Sequence, residues 1–438
     1  MNAYKENALN TLAKLVSFKT VKGQPQTNAP FGEELKKCLE YFLDLGQSFG
    51  FTVKNVDGYA GHIEWKGKTD EIVGILAHLD VVPEGEGWRY PPYKATIEGD
   101  YMYGRGVLDD KGPAAACLYA MKELKDNGFI PTKTIRLIVG CDEENGSSCV
   151  KYYFEREKMP DVGFSPDGDF PAIHCEKSTL WLKLNLPNDL KYFKNVVGGE
   201  KANMVPSFAS ADYYGDLPLS YFENLGLSAV DMGEYLKISA FGKNAHGSTP
   251  DIGKNALWKL FKVISTVENN SVARLIYNTF CRDCSGIYSQ IACQDEKSGK
   301  LTQNLGVAFS TNDLISLTLD IRFPLSITKE QILDKITQIA GEKTSISVIN
   351  YADCLFVDPE STLVKTLMSV YKKHTGSNSP SLIIGGGTYA KEMKYGIAFG
   401  PMMEKEQSTI HMPNERLSLK NFSLFYDIYK DAIFELSK

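Results

Sequence analysis

Apolar residues recur along the chain with two alternating periods, and this pattern predicts a series of strands and helices. Some segments carry apolar positions at helical spacing, whereas others alternate or form short continuous apolar runs that are typical of strands. Strands that alternate with helices need crossover connections, so we predict an α/β fold with a mostly parallel mixed sheet flanked by helices. The first predicted helices lie at about 4–18, 35–43 and 112–126, and the first strands at 51–56, 62–65, 72–77 and 134–140.

The pattern changes near Thr179 and changes back after Val357. Between these points the sequence alternates as in antiparallel strands, with helical segments near 255–267 and 328–339, which is typical of a strand-rich α+β unit. We therefore predict one α/β domain formed by residues 1–177 and 355–438, with an α+β domain, residues 178–354, inserted into it. The predicted elements after the insert are a helix at 359–373, a strand at 396–400 and a helix at 417–436.

Composition and charge restrict the function classes. With 438 residues the chain should form two or three hydrophobic cores, and its 43% hydrophobic and 23% charged residues are typical of soluble globular proteins. The formal net charge of -6 gives no basic patch for nucleic acid. The N-terminus does not resemble a secretion signal, and no apolar run is long enough to span a membrane. The odd number of cysteines, nine, favours free thiols in a reducing compartment, so we expect a cytoplasmic protein.

Acidic residues and one histidine follow the ends of the predicted strands. In parallel sheets, ligands bind beyond the carboxyl ends of the strands, where these side chains would meet. Taken singly, each has an ordinary explanation: His78 could be a core histidine, Asp109 a helix N-cap and the D-E-E run at 142–144 a solvated loop. Their shared position favours a common site instead. The residues are His78, Asp80, Asp109, Glu143, Glu144 and Asp167.

This residue set has the chemistry of a two-metal hydrolytic site. Such a site needs about two or three protein ligands per ion and a bridging carboxylate. In the His-x-Asp pair formed by His78 and Asp80, the carboxylate could hold the metal-binding imidazole in one orientation. The second imidazole that such a site requires is best supplied by His411, which precedes the last helix. Nitrogen and oxygen ligands without thiolate fit zinc, manganese or cobalt. Of two adjacent glutamates, one could coordinate and the other act as general base.

Motifs along nearly the whole chain together resemble one known family. This is the co-catalytic metallopeptidase family that includes aminoacylase, carnosinase, succinyl-diaminopimelate desuccinylase and the bacterial PepV-type dipeptidases. In order and spacing the motifs are most similar to those of the PepV-type dipeptidases. They include HLDVVPEG, GRGVLDDKGP, CDEENGSSC, FSPDGDFP, GGEKANMVPS, FGKNAHGSTPDIGKNA, LDIRFP, IIGGGTY and STIHMPNE.

The resemblance implies a metal ligand set. His78 and Asp167 would hold one divalent ion, Glu144 and His411 would hold the other, and Asp109 would bridge the two. Zinc is the metal we expect first, with manganese and cobalt left open. The residues that follow His411 depart from the family pattern, which leaves open the residue that supports this histidine.

The resemblance also implies catalytic and substrate-binding residues. Glu143 would be the general base, Asp80 would orient His78, and His246 in the insert would stabilise the oxyanion. From sequence context alone, His246 could equally be a capping or surface histidine. Substrate contacts are implied for Asn203, for Arg322 through a bidentate pair with the substrate carboxylate, and for the glycine run Gly385, Gly386 and Gly387.

We therefore predict a dipeptidase that cleaves short unblocked peptides by means of a water molecule bridging the two ions. The insert would act as a lid that limits peptide length. Because it has the double length of the PepV-type lid, one chain could supply its own lid histidine, so we expect a monomer and leave a dimer open. One alternative is a deacylase of N-acyl or N-succinyl amino acids. Another is a non-catalytic metal- or peptide-binding protein.

Overall fold

The protein is described by a computed structural model that covers residues 2–438 and divides into two compact units. The first unit extends from the N-terminus to His174 and includes Phe356–Leu382 and Gly387–Lys438, and the second comprises Cys175–Leu355 and Ile383–Gly386. The predicted boundaries at 177/178 and 354/355 lie within three residues of these. Ile383–Gly386, which includes part of the glycine run, groups with the second unit, although the sequence pattern placed it in the first domain.

The seven predicted helices are present, most of them within three residues of their predicted bounds, and three further short helices were not predicted. Capping side chains define several starts, as where Asn2 accepts a hydrogen bond from the Lys5 amide and Thr328 forms a capping box with Gln331. The helices are α1 (Ala3–Ser17), α2 (Glu33–Ser48), α3 (Lys111–Asp126), α4 (Ser148–Phe154), α5 (Leu219–Asn224), α6 (Ala256–Glu268), α7 (Ser271–Phe280), α8 (Lys329–Ala340), α9 (Thr362–Thr375) and α10 (Leu419–Ser437).

The strands follow in chain order. They are β1 (Thr52–Val56), β2 (Ala60–Trp65), β3 (Ile72–His78), β4 (Thr96–Glu98), β5 (Tyr101–Tyr103), β6 (Thr134–Gly140), β7 (Val162–Ser165), β8 (Gly168–Asp169), β9 (Ile173–Glu176), β10 (Ser178–Pro187), β11 (Phe193–Gly198), β12 (Phe208–Tyr213), β13 (Ser228–Asp231), β14 (Leu236–Phe241), β15 (Gln294–Asp295), β16 (Gly299–Lys300), β17 (Thr302–Ser310), β18 (Leu314–Phe323), β19 (Ser345–Ala352), β20 (Leu355–Phe356), β21 (Leu382–Ile384), β22 (Gly396–Ala398), β23 (Pro401–Met402) and β24 (Arg416–Ser418).

The main sheet of the first unit has the order β1-β2-β6-β3-β7-β22 and continues into β9 at its far edge. Its central strands β6, β3, β7 and β22 are parallel, and β3 and β6 are buried along their whole length. Strands β1 and β2 are antiparallel, because residues 57–59 form a tight turn that is too short for a crossover. The structure confirms the predicted fold class, a mixed sheet flanked by helices.

Helix α3 packs against this sheet and against α1 and α10. Its first turns are buried and carry small side chains, among them Gly112 and Ala114 to Ala116. Small side chains let a helix approach a sheet closely, and a Cβ on Gly112 would lie 2.1 Å from the Val107 carbonyl oxygen. The N-terminus of α3 is thereby fixed directly behind the loop that carries Asp109.

The second unit is built on an antiparallel eight-stranded sheet of order β13-β14-β12-β11-β17-β18-β10-β19. Alternate residues of β10, Leu180, Leu182 and Leu184, are buried in a core that also takes up apolar residues of α6, α7 and α8. The predicted α+β character of the insert is thus confirmed. Helix α7, which the pattern did not predict, follows α6 after only two residues and is capped by Asn270.

None of the helices within residues 2–438 combines the length and the apolar character that crossing a bilayer requires.

Candidate functional site

Parallel pairing of β6, β3 and β7 brings three predicted site segments to one edge of the sheet. His78, the last residue of β3, lies opposite Gly140, the last residue of β6, and the segment Asp142 to Glu144 follows Gly140. Asp167 follows the end of β7, the neighbour of β3 on the other side. The carboxyl ends of parallel strands meet at the same edge, so the strand order accounts for the proximity of these residues.

Asp80 connects His78 to the two glutamates. Its two carboxylate oxygens accept hydrogen bonds from the backbone amides of Glu143 and Glu144, at 3.0 and 3.1 Å. The main-chain carbonyl oxygen of Asp80 lies 3.0 Å from His78 Nδ1, closer than the carboxylate Oδ1 at 3.4 Å. The Asp80 carboxylate therefore fixes mainly the loop that carries Glu143 and Glu144. With the proton on Nδ1, His78 presents Nε2 as the metal-binding atom.

Asp109 lies between the two imidazole rings. Its Oδ1 is 3.0 Å from Nε2 of His78, and its Oδ2 is 3.0 Å from Nε2 of His411. Nε2 of His411 is also 3.0 Å from Oε1 of Glu144, and Nε2 of His78 is 4.0 Å from Oδ2 of Asp167. Each oxygen of one carboxylate thus faces a different histidine, an arrangement that suits a carboxylate bridging two ions through its two oxygens.

Two groups of potential ligand atoms share Asp109. The first is His78, Asp109 and Asp167, and the second is Asp109, Glu144 and His411; within each group the atoms lie within 4.8 Å of one another. Ligands at zinc distances of about 2.0–2.2 Å in a tetrahedron lie about 3.3–3.6 Å apart. The observed separations of 3.0–4.0 Å bracket that range, so the donor atoms fit two divalent cations.

The site concentrates negative charge, which shifts the pKa values of its groups. Burial and the nearby Asp109 raise the pKa of Asp167 to about 7, and burial followed by Asp167 raises that of Glu143 well above its usual range. Burial alone would lower the pKa of His411, but hydrogen bonds with Asp109 and Glu144 outweigh it and raise the pKa to about 11. Bound cations would relieve this repulsion among carboxylates.

We expect metal binding to release protons and to strengthen as the pH rises. The pKa values of His78 and His411 are raised without metal, so both rings carry an additional proton at pH 7, and a cation must displace it. The logarithm of the apparent affinity for two ions should therefore increase with pH with a slope of at least two, because both histidines and part of the Asp167 population lose a proton. Calorimetric titration with Zn²⁺ in buffers of different ionisation enthalpy measures this number directly. A proton release of zero at pH 7 would contradict the protonation state that we infer.

Glu143 differs from its neighbour Glu144. Among the described residues, Glu143 belongs to neither group of potential metal ligands, whereas Glu144 belongs to the second. The backbone amide of Glu143 donates a hydrogen bond to Asp80, and this contact keeps the Glu143 side chain at the same edge of the sheet. The position and the raised pKa fit a group that takes up and releases a proton beside the cations.

In the second unit, the segments that contain the predicted residues Asn203 and His246 lie side by side. Residues Met204 and His246 form an antiparallel bridge, and the Gly247 amide donates a 2.7 Å hydrogen bond to the Asn203 carbonyl oxygen. Nδ1 of His246 accepts from the Ser248 amide at 3.2 Å, so the ring carries its proton on Nε2. Although His246 is exposed, desolvation of its ring and the charge of Arg322 lower its pKa. His246 is thus neutral at pH 7 with Nε2 as a hydrogen-bond donor.

Arg322 is buried and already paired within the second unit. Its Nε and Nη2 donate to the two oxygens of Asp320 at 2.6 and 3.0 Å, and its Nη1 donates to Thr179 Oγ1 and to the Gly385 carbonyl oxygen. The guanidinium has five N–H donors, and these bonds use four of them. A bidentate pair with a substrate carboxylate, as the sequence predicted, does not fit this arrangement, because Asp320 occupies the fork.

The glycine run is divided between the units. A Cβ on Gly385 would lie 2.8 Å from Cβ of Ser248, so this position requires glycine for packing. The corresponding atoms at Gly386 and Gly387 would meet only side chains at 3.6 Å or more. Packing within the protein therefore requires glycine at Gly385 but not at Gly386 or Gly387, and the substrate contact implied for the run stays a prediction.

Three supporting residues escaped the sequence analysis. Asp320 stands two positions before Arg322 in β18, and this i, i+2 spacing on one strand face could have identified it. The Tyr389 ring packs edge-on against His78 at 5.9 Å, and its backbone amide donates to Asp167. The third, Glu415, lies in the STIHMPNE motif and is buried.

Comparisons with known proteins identify a peptidase family and related folds. The model of Peptidase family M20/M25/M40 matches residues 74–435. "Putative dipeptidase YtjP" of Bacillus subtilis is 35% identical over 93% of this chain and 92% of its own length, and a "Putative dipeptidase" of Staphylococcus haemolyticus is 32% identical over 99% and 97%. In solved structures, human carnosine dipeptidase 1 shares the fold with a TM-score of 0.61 and 13% identity, covering 99% of this chain and 96% of its own. A tripeptidase of Staphylococcus aureus has a TM-score of 0.60 and 16% identity, covering 98% and 97%.

Proposed function

Because the chain belongs to Peptidase family M20/M25/M40 and is thus a hydrolase acting on peptide bonds, we propose that it is a two-metal dipeptidase for short peptides with a free N-terminus. The observation that carries the proposal is the position of Asp109 between the two ligand groups. The dipeptidase names of the two bacterial relatives, which match this chain over more than nine-tenths of its length, support the substrate class.

We propose that His78 and Asp167 hold one ion, that Glu144 and His411 hold the other, and that Asp109 bridges them. Divalent cations held there would polarise the scissile carbonyl and lower the pKa of a nearby water molecule. Zinc is the proposed metal, because two imidazoles and three carboxylates without thiolate suit it, and manganese or cobalt could use the same donors.

Glu143 is the proposed general base. It would take a proton from the attacking water and deliver it to the nitrogen of the leaving amine. A carboxylate that stays off the metal and has a raised pKa is suited to both steps, because it holds the proton between them. Asp80 contributes by holding the Glu143 and Glu144 amides, so that the base and the adjacent ligand keep a fixed separation.

His246, Asn203 and Arg322 are proposed to act on the substrate from the second unit. His246 would donate Nε2–H to the oxyanion of the tetrahedral intermediate, and its neutral tautomer supports this role. Arg322 has one N–H left beyond its bonds to Asp320, Thr179 and Gly385, so we propose a single hydrogen bond to the substrate carboxylate.

We also propose that the enzyme works in the cytoplasm as a monomer. All nine cysteines are free thiols in the described chain, which suits a reducing compartment. The eight-stranded sheet of the second unit is formed within one chain, and the loop after β14 holds His246 with its hydrogen-bond partner Ser248.

A substrate panel tests the proposed specificity. With zinc, manganese or cobalt supplied, we expect kcat/KM for free dipeptides to exceed that for N-acetyl and N-succinyl amino acids and for tetrapeptides by about 100-fold or more, since lost polar contacts in a site built for them cost this much. A preference for blocked amino acids would identify a deacylase instead. Inactivity on every substrate with all three metals would favour a binding protein and overturn the proposal.

A further inference from the structure

A short ladder brings the His411 loop beside the Asp109 loop. Strand β24 pairs with β5 in the register Arg416 to Tyr103, and the Gly104 amide donates a 3.0 Å hydrogen bond to the Glu415 carbonyl oxygen. The two chain segments are about 310 residues apart in sequence, as the contact between Arg105 and Glu415 shows. The side chain of Glu415 therefore enters the protein directly beneath residues 105–109.

The Glu415 carboxylate is bound by four donors from that loop. Its Oε2 accepts from Arg105 Nη1 at 2.8 Å and from the Gly106 amide at 3.0 Å. Its Oε1 accepts from the amides of Leu108 and Asp109 at 3.0 and 3.3 Å. The side chains of Arg105 and Glu415 are only 2% and 1% exposed, so this ion pair is shielded from water. Hydrogen bonds to the remaining atoms stabilise a buried charge pair; here they satisfy both oxygens of Glu415, whereas Nε of Arg105 has no hydrogen-bond partner among the described residues.

The loop 411–415 has a backbone that needs external support. His411 and Asn414 both adopt left-handed conformations, with φ of 61° and 63°. Such conformations are strained for residues other than glycine and persist where contacts hold them. The Asn414 side chain accepts from the Arg89 amide at 2.6 Å and donates to the Gly87 carbonyl oxygen at 3.1 Å. Glu415 anchors the other end of the loop.

We infer that Glu415, paired with Arg105, is the positioning residue that sets the distance between Asp109 and His411. The inference rests on the proposed two-metal function. One carboxylate holds the backbone of Asp109 and lies four residues after His411, so its position couples the bridging ligand to a ligand of the second ion. Loss of this coupling would change metal affinity before it changed the fold.

The substitution Glu415→Gln tests this role. The amide nitrogen of glutamine is a donor, so one side of the new side chain would face the N–H groups of Arg105 or of the loop without being able to accept from them. Support residues around metal ligands change affinity by about 10–100-fold when replaced. We expect calorimetric titration with Zn²⁺ to show a loss of this size in the Kd of at least one ion, and activity to recover as Zn²⁺ is raised.

Glu64→Gln is the matched control. Glu64 forms an ion pair with Arg136 at 2.6 Å across β2 and β6, and Arg136 lies four residues before the end of β6. The control should leave the zinc Kd unchanged, whatever it does to the melting temperature. A purely structural role of Glu415 would likewise lower the melting temperature and leave the Kd of the folded protein at the wild-type value, and that result would overturn the inference.

A second variant, and zinc binding by the wild-type protein, distinguish the remaining outcomes. If Glu415→Gln does not fold, Arg105→Lys decides, because lysine keeps the charge but loses the guanidinium geometry: a weaker zinc Kd supports the inference and an unchanged one overturns it. If the wild-type protein itself fails to bind two zinc ions, the proposed function fails, and this result is distinguishable from a wild-type site that binds normally and ignores the substitution.

Discussion

Replacing Glu143 by glutamine is expected to lower kcat by about 10²–10⁴-fold, the usual contribution of a positioned general base, and to leave the bound metal unchanged. Glutamine has almost the same shape but cannot accept a proton from water. Glu143 lies outside both ligand groups among the described residues, and its backbone is held by Asp80, so the substitution should not disturb the ligands. Steady-state kinetics on a dipeptide, together with elemental analysis of the purified protein, provides the test.

Glu155→Gln is a suitable control, because the Glu155 side chain is 71% exposed and forms an ion pair with its sequence neighbour Arg156. It should retain wild-type kcat. The assignment of the base fails if Glu143→Gln turns over at close to the wild-type rate with metal bound. Loss of metal from the variant would instead make Glu143 a ligand.

Replacing Asp109 by asparagine is expected to remove activity by on the order of 10³-fold or more and to weaken the binding of both ions together. The amide offers one oxygen instead of two, so it cannot face both His78 and His411 as an acceptor. Metal ions stabilise the charge of the transition state by several kcal/mol, and each 1.36 kcal/mol of activation free energy corresponds to a factor of ten in rate. Loss of both ions therefore accounts for a decrease of this size. Calorimetric titration with Zn²⁺ and kinetics at saturating metal measure the two effects.

The comparison variant is Asp70→Asn, since the Asp70 side chain is 96% exposed and pairs with Lys66 on the surface. Zinc binding by that variant should match the wild type. Two zinc ions bound to Asp109→Asn with wild-type affinities would show that Asp109 does not bridge them. Loss of a single ion would assign Asp109 to one site only.

Much of the fold followed from the hydrophobic pattern, because the long buried strands β3 and β6 and the amphipathic helices have clear periods. The position of His78, Glu144 and Asp167 at one edge followed from the rule for parallel strand ends. The resemblance to the peptidase family is confirmed by the family match and by the bacterial relatives. His411 was selected because a two-metal site needs a second imidazole, and the family motifs then implied Glu144 as its fellow ligand, since nothing local to residue 411 indicates distant partners.

Other features depend on tertiary contacts that no local pattern encodes. The role of Glu415 follows from the pairing of β24 with β5, whose register cannot be read from two three-residue strands. The family resemblance implied that Arg322 binds the substrate carboxylate through two hydrogen bonds. In the structure, Nε and Nη2 of Arg322 already donate to Asp320 on the same strand face. The grouping of Ile383–Gly386 with the second unit follows from contacts such as that of Gly385 with Ser248 and Arg322.

Anomalous scattering from crystals of the zinc-loaded protein tests the central claim most directly, because it locates each ion independently of the protein atoms. We expect two peaks about 3.5–4 Å apart, one beside His78 and Asp167 and the other beside Glu144 and His411, with one Asp109 oxygen directed at each. A single peak, or peaks away from Asp109, would contradict the two-metal site.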